Sequence, residues 1–233
     1  MHFKKQINLV NRMLQTLTIA TAGIALNAVA QTGVNTCGGL TNHYGPFDYR
    51  TSNLELRERI EKFHFTPQVE SLIKGQSGFK IGPDLNYTLR VFPNHPRALL
   101  SLMRYGEKLK SPQPQDVPLP IDCYFERALR FQPDDTTVRM IHATFLSANG
   151  RAPEALAELN KVITTAPDNP FTQYNVGLIY LDMKEYDKAL VQAHKAIVQG
   201  FPQTGLRDKL AAVGKWQAPQ DSLIPDPVSP AQK

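Results

Sequence analysis

Apolar side chains at helical spacing, interrupted by proline, glycine and asparagine, run through most of this chain. Leu56, Ile60 and Phe63 follow one another at that spacing behind Ser52 and Glu55, which form a candidate capping box. Thr66 and Pro67 predict a second short helix, with Thr66 as N-cap and Pro67 in the first helical position. Residues 83–93 (PDLNYTLRVFP) predict a lone helix ended by Pro93, and residues 96–109 (PRALLSLMRYGEKL) predict another. The stretch SPQPQDVPLP separates the latter from a helix that holds Phe125 and Ala128 and stops before Pro133. Two helices then flank the turn at Asn149-Gly150, and Pro167 ends the second, because proline cannot continue a helix interior. A further pair is joined by a solvated turn around Lys184, Glu185, Asp187 and Lys188. Residues 203–214 read as a last helix with Trp216 behind it, and the Pro-rich chain from Ala218 reads as disordered.

The helical segments recur. Ala143 maps to Gly177, Leu146 to Tyr180, Ala155 to Ala189, Val162 to Ala196 and Pro133 to Pro167, each 34 residues apart. Small residues at fixed places in a 34-residue period let two helices of a hairpin approach closely, with Tyr180 and Tyr186 filling the space between. On these residues the chain resembles the tetratricopeptide-repeat superfamily. The match is best over units 136–169 and 170–203. A third unit further back is lengthened by about six residues at its Pro-rich loop, measured against that period. Pro93-Asn94-His95-Pro96 echoes Pro167-Asp168-Asn169-Pro170 and supports the register. The resemblance implies an all-α fold: antiparallel helical hairpins stacked as a short right-handed solenoid over 83–202, a capping helix in 203–217, and a tail from 218 to 233. Residues 31–82 do not repeat and form an irregular N-terminal extension. The GPFDY, HFTPQVE and FPNHPRAL stretches resemble exported bacterial repeat proteins of unassigned function.

Composition adds the compartment. Lys4, Lys5 and Arg12 precede an uncharged stretch over 13–30 that ends in Ala28-Val29-Ala30, the small–x–small pattern of a secretory signal cleaved before Gln31. An uncleaved anchor is the alternative, but Gln15, Thr16, Thr18, Thr21 and Asn27 make the stretch poorly apolar. Val34-Asn35-Thr36 before Cys37 do not fit a lipoprotein box. The first 30 residues hold no acid, so the formal charge of +5 falls to +2 beyond them, which leaves no general footprint for nucleic acid. Export to the periplasm or beyond makes Cys37 and Cys123 a candidate disulfide; two buried thiols are the alternative. His43, His64, His95, His142 and His194 are scattered without metal-ligand spacing, and no cofactor or metal is expected.

Candidate chemistry is thinner. His64 lies near Thr66, Glu61 and Glu70, with His43 and Asp48 in the same region, a set that could be read as a His–carboxylate general base. No nucleophile elbow or phosphate loop supports that, and packing in the N-terminal region is the expected role of His64. Asp134-Asp135 read as acids favouring a helix N-terminus. Arg97, Arg104 and Lys108 share one helix stripe and form a candidate cationic wall. Phe171, Tyr174, Asn175, Leu178 and Asp182 fall on the equivalent face of the last repeat, and Thr137, Met140 and Thr144 on that of the middle one. Asn175 occupies a place where peptide-binding relatives bond a ligand, but the rest of that carboxylate clamp is missing. The expectation is therefore a non-enzymatic scaffold that binds a protein or peptide through Arg97, Arg104, Lys108, Met140, Tyr174 and Asn175, with no stable membrane insertion after cleavage. The alternative is a module that binds glycan or another envelope polymer through Tyr44, Phe47 and Tyr49.

Overall fold

The computed structural model describes residues 37–76 and 78–219, so the expected signal segment and most of the tail lie outside it. The described residues belong to one compact unit. Ten α-helices, and no strand, are found among the described residues: α1 (Leu54–His64), α2 (Pro67–Glu70), α3 (Gly82–Val91), α4 (Pro96–Leu109), α5 (Ile121–Phe131), α6 (Thr136–Ala148), α7 (Ala152–Thr165), α8 (Pro170–Asp182), α9 (Tyr186–Val198) and α10 (Gly205–Ala212). The fold class is all-α. No helix among the described residues is long and apolar enough to cross a membrane.

Five of the ten described helices, α1, α2, α4, α6 and α8, start with one device. A side chain just before the first turn accepts a hydrogen bond from a backbone N–H that the helix itself cannot satisfy. His95 Nδ1 accepts from Ala98 N at 3.2 Å, Asp135 from Val138 N at 3.0 Å and Asn169 from Thr172 N at 3.0 Å. These caps open α4, α6 and α8. Thr66 caps α2 as its sequence predicts. At α1 the cap sits one residue later than the Ser52–Glu55 pattern predicts. Asn53 accepts from Leu56 N at 2.8 Å, while Ser52 Oγ donates to Asp48 O at 2.7 Å and is spent inside the preceding turn.

Small residues set the helix–helix distances. Ala143 and Ala155 are fully buried where α6 meets α7, and Ala189 where α8 meets α9. A Cβ on Gly177 would press on Leu206 Cδ2 of α10 and come within 3.3 Å of Gln192 Cβ. Tyr180, 2 % exposed, fills the adjoining space. The Arg139 guanidinium donates to Glu158 at 2.5 Å, tying α6 to α7. Packing then proceeds in order, with α4 against α6, α6 against α8, and α10 against α8 and α9.

The first part of the described chain is built differently. Residues 37–50 lie as a strap over α3 and α5 rather than forming a helix of their own. Cys37 is disulfide-bonded to Cys123 of α5, with Cα atoms 5.0 Å apart. Arg127, 7 % exposed, donates to Cys37 O at 3.1 Å and Gly39 O at 2.5 Å. Asn42 and Arg90 exchange hydrogen bonds at 2.6 and 2.7 Å, and Phe47 N donates to Val91 O at 2.8 Å. Phe47, Tyr49 and Leu56 cover a small second core of Ile60, Val91 and Phe92.

Candidate functional site

The stripe of cations on α4 is largely engaged within the chain. Arg97 donates from Nε to Glu70 Oε1 at 2.7 Å, from Nη2 to Glu70 Oε2, and from Nη1 to Glu61 at 3.3 Å. Its guanidinium also stands 5.3 Å over the Phe65 ring. Both carboxylates raise its pKa, with the Glu70 hydrogen bond as the largest cause. Lys108 Nζ donates to Leu72 O at 2.9 Å, just after α2. Arg104 is exposed and has no ion pair among the described residues. So Glu70 and Glu61 pair with Arg97, the Leu72 carbonyl accepts from Lys108, and all three cations stay exposed at the surface.

Arg97 belongs to a denser cluster that the sequence did not reveal. Tyr49 Oη donates to Glu61 Oε1 at 2.7 Å, and His95 Nε2 stands 3.4 Å from the same oxygen. Because His95 Nδ1 accepts from Ala98 N, the ring proton sits on Nε2 and faces the carboxylate. Burial pushes the His95 pKa down, so the imidazole is neutral. The approach of His95, then donation from Tyr49, with the Arg97 charge behind them, holds Glu61 at about 2. Burial, with Glu61 next, pushes Tyr49 up to about 12. His95 is 0 % exposed. A carboxylate this acidic makes a poor general base near neutral pH, and this imidazole meets no solvent. The cluster clamps the strap, α1, α2 and α4 to one another.

A second clamp surrounds Asn94, also 0 % exposed. Its Oδ1 accepts from Tyr49 N at 3.0 Å, and its Nδ2 donates to Asp48 at 2.7 Å and to Asp135 at 3.0 Å. Arg50 adds bonds to Asp48 and Asp134. The turns before α4 and α6 thus share one polar knot with the strap. The sequence signal was the Pro93-Asn94-His95-Pro96 turn, where two polar residues sit between prolines.

His64 pairs with neither Glu61 nor Glu70. Its Nδ1 lies 3.2 Å from Asp84 Oδ1, and its ring lies over Tyr87 at 3.9 Å between centroids. Asp84 also accepts from Gln76 N at 2.8 Å. Among the described residues no group of three or more His, Cys, Asp or Glu could hold a metal ion.

On α6, Met140 is a core residue at 7 % exposure, and Thr144 Oγ1 donates to its carbonyl at 3.0 Å. On α8, Asn175 Nδ2 donates to Phe171 O of its own helix at 2.8 Å. Phe171 is 56 % exposed, and the half-buried Tyr174 ring lies 4.6 Å from that of Phe201. Phe171, Tyr174 and Phe201 therefore form an aromatic group on the surface of α8, with Phe201 contributed by the chain after α9.

The aromatic N-terminal segment is mostly turned inward. Phe47 and Tyr49 pack on Phe92 at 6.4 and 5.5 Å, while Tyr44 keeps 38 % exposure. Tyr44 borders an open cleft of about 340 Å³ lined by Arg59, Ile60, Phe63, His64 and Tyr87. Phe63, placed by its spacing beside Leu56 and Ile60, is 52 % exposed on the rim of this cleft.

A scan against protein-family models finds no match, and a search of curated proteins finds none either.

Proposed function

We propose that this chain is an exported helical-repeat adaptor that binds a segment of another protein across the successive faces of α4, α6 and α8. In this reading the helices stack as a short tetratricopeptide-like solenoid. Support comes from the matching caps His95, Asp135 and Asn169 and from the packing of α4 on α6 and α6 on α8. The disulfide suits an oxidising compartment, in line with the secretory signal pattern.

The observation that carries the reading is the aromatic group on α8. Phe171 leaves 56 % of its surface in water beside Tyr174 and Phe201. Aromatic residues are enriched at protein interfaces because they bury much area at little entropic cost. Arg104 supplies a free guanidinium, suited to an Asp or Glu of the partner. The partner segment is an extended stretch with an acid and an apolar side chain. Arg97, Lys108, Met140 and Asn175 then act as scaffold, since each is engaged or buried within the chain.

A photo-crosslinking residue at position 171 or 104 tests this, with one in place of Ala157, on the exposed face of α7, as control. The expected result is a discrete crosslinked species from positions 171 and 104 and none from 157. Equal labelling from all three positions contradicts it. An Arg104→Glu change is expected to weaken the captured partner by about 1–3 kcal/mol, as for loss of a charged hydrogen bond.

A further inference from the structure

The most exposed large apolar side chain among the described residues is Phe79, at 95 %. It belongs to a loop that leaves the core at the buried Leu72 and returns at the buried Ile81. Ile73, at the other end of the loop, is 70 % exposed. The base is anchored. Gln76 N donates to the Asp84 carboxylate at 2.8 Å, and Gly75 and Gly78 form a bridge across the loop. A Cβ on Gly75 would collide with Lys80 O, so the two arms run close together. Ser77, between them, lies outside the described residues.

The charges within this loop share one sign. Lys74 follows Ile73 and Lys80 follows Phe79, and no Asp or Glu occurs between Ser71 and Pro83. Lys108 Nζ, bonded to Leu72 O, brings the C-terminal end of α4 to the loop, where Lys110 is also exposed. Asp84, the first acid after the loop, is 6 % exposed and engaged by Gln76 and His64; Glu107 is the one exposed acid on the last turn of α4.

We propose that this loop docks the protein peripherally on an anionic lipid surface, with Phe79 and Ile73 entering the headgroup–acyl boundary and Lys74 and Lys80 meeting phosphate headgroups. A protruding aromatic flanked by lysines fits that boundary, which takes apolar side chains and attracts basic ones. A protein partner fits less well, because lysine is depleted at protein interfaces and a side chain exposed on all sides offers no flat patch to cover. The proposal is independent of the adaptor face, since it uses other residues.

Vesicle sedimentation tests it with the chain from Gln31, which keeps the whole compact unit and lacks the apolar leader. The protein is expected to sediment with vesicles of equal parts phosphatidylcholine and phosphatidylglycerol, and weakly with phosphatidylcholine alone. Two double variants, Ile73→Ser with Phe79→Ser and Lys74→Glu with Lys80→Glu, are each expected to lose about tenfold or more in apparent affinity. Their melting temperatures should match the wild type, because all four side chains are exposed. Absence of sedimentation with the mixed vesicles, or undiminished sedimentation of the serine variant, overturns the proposal. So does a protein crosslinked from position 79 without vesicle binding, which would give the loop to a protein partner.

Discussion

Helices α6–α9 and the chain before them are both helical, yet they are held by different kinds of contact. In α6–α9, each helix packs on the one just after it through a short turn, and the positions that matter repeat every 34 residues. Ala143 stands with Gly177, and Ala155 with Ala189. The first part relies on contacts far apart in sequence. Cys37 reaches Cys123 across 86 residues, Arg127 reaches Cys37 O across 90, and Asn94 reaches Asp135 across 41. Local contacts cost little loop-closure entropy, whereas distant ones must be secured by a crosslink or by well-satisfied buried polar groups.

The crosslink offers the largest way to break the contrast. A Cys37→Ser change frees a loop of 86 residues and is expected to cost about 4–5 kcal/mol on the chain-entropy account. The loss should fall on α3, α5 and the strap. Denaturant unfolding followed by a probe in each region would show the first half separating from the second.

An Asn94→Ala change comes next. It strands Tyr49 N and removes a partner from Asp48 and Asp135, at an expected cost of about 1–3 kcal/mol. The same change at Asn169 removes one cap bond and is expected to cost about 1 kcal/mol. Equal costs would mean that the polar knot adds nothing beyond capping.

Gly177→Ala probes the other side of the contrast. The added methyl presses on Leu206, which can shift, and alanine gains about 1 kcal/mol of helix propensity. Overpacking typically costs about 1–3 kcal/mol, so a small net loss confined to α8–α10 is expected in thermal melts.

Acid should act through Glu61. Its folded pKa of about 2 lies below the ordinary 4.5, so its contribution is complete above about pH 5 and is lost as pH falls toward 2. The first part should therefore loosen before α6–α9 on acidification. A Glu61→Gln variant should flatten that pH dependence in a melting series. An unchanged pH profile would remove Glu61 from the account.

The contrast also explains what could be read from the chain. The helix pairs α6–α7 and α8–α9 were legible because the small residues and prolines that bound them stand at a fixed distance in the sequence. The helix from Pro96 to Leu109 was legible too, as was the proximity of the two cysteines. The strap was not, because Asn42, Asp48 and Arg127 carry no period and their partners lie tens of residues away. The same reason hid the intrachain partners of the cations. Arg97 and Lys108 share a stripe with Arg104, but nothing local tells that Glu70 and Leu72 O will accept from them. Phe63 shows the limit of spacing, since a helical interval with Ile60 does not say which side a neighbouring segment will leave open.

Hydrogen exchange of the oxidised and reduced protein, resolved helix by helix, tests the division most directly. Reduction is expected to strip protection from the strap, α3 and α5 while α6–α9 keep most of theirs. Uniform loss across all the helices would contradict it, and would show that one cooperative unit, rather than a local and a crosslinked half, holds this fold.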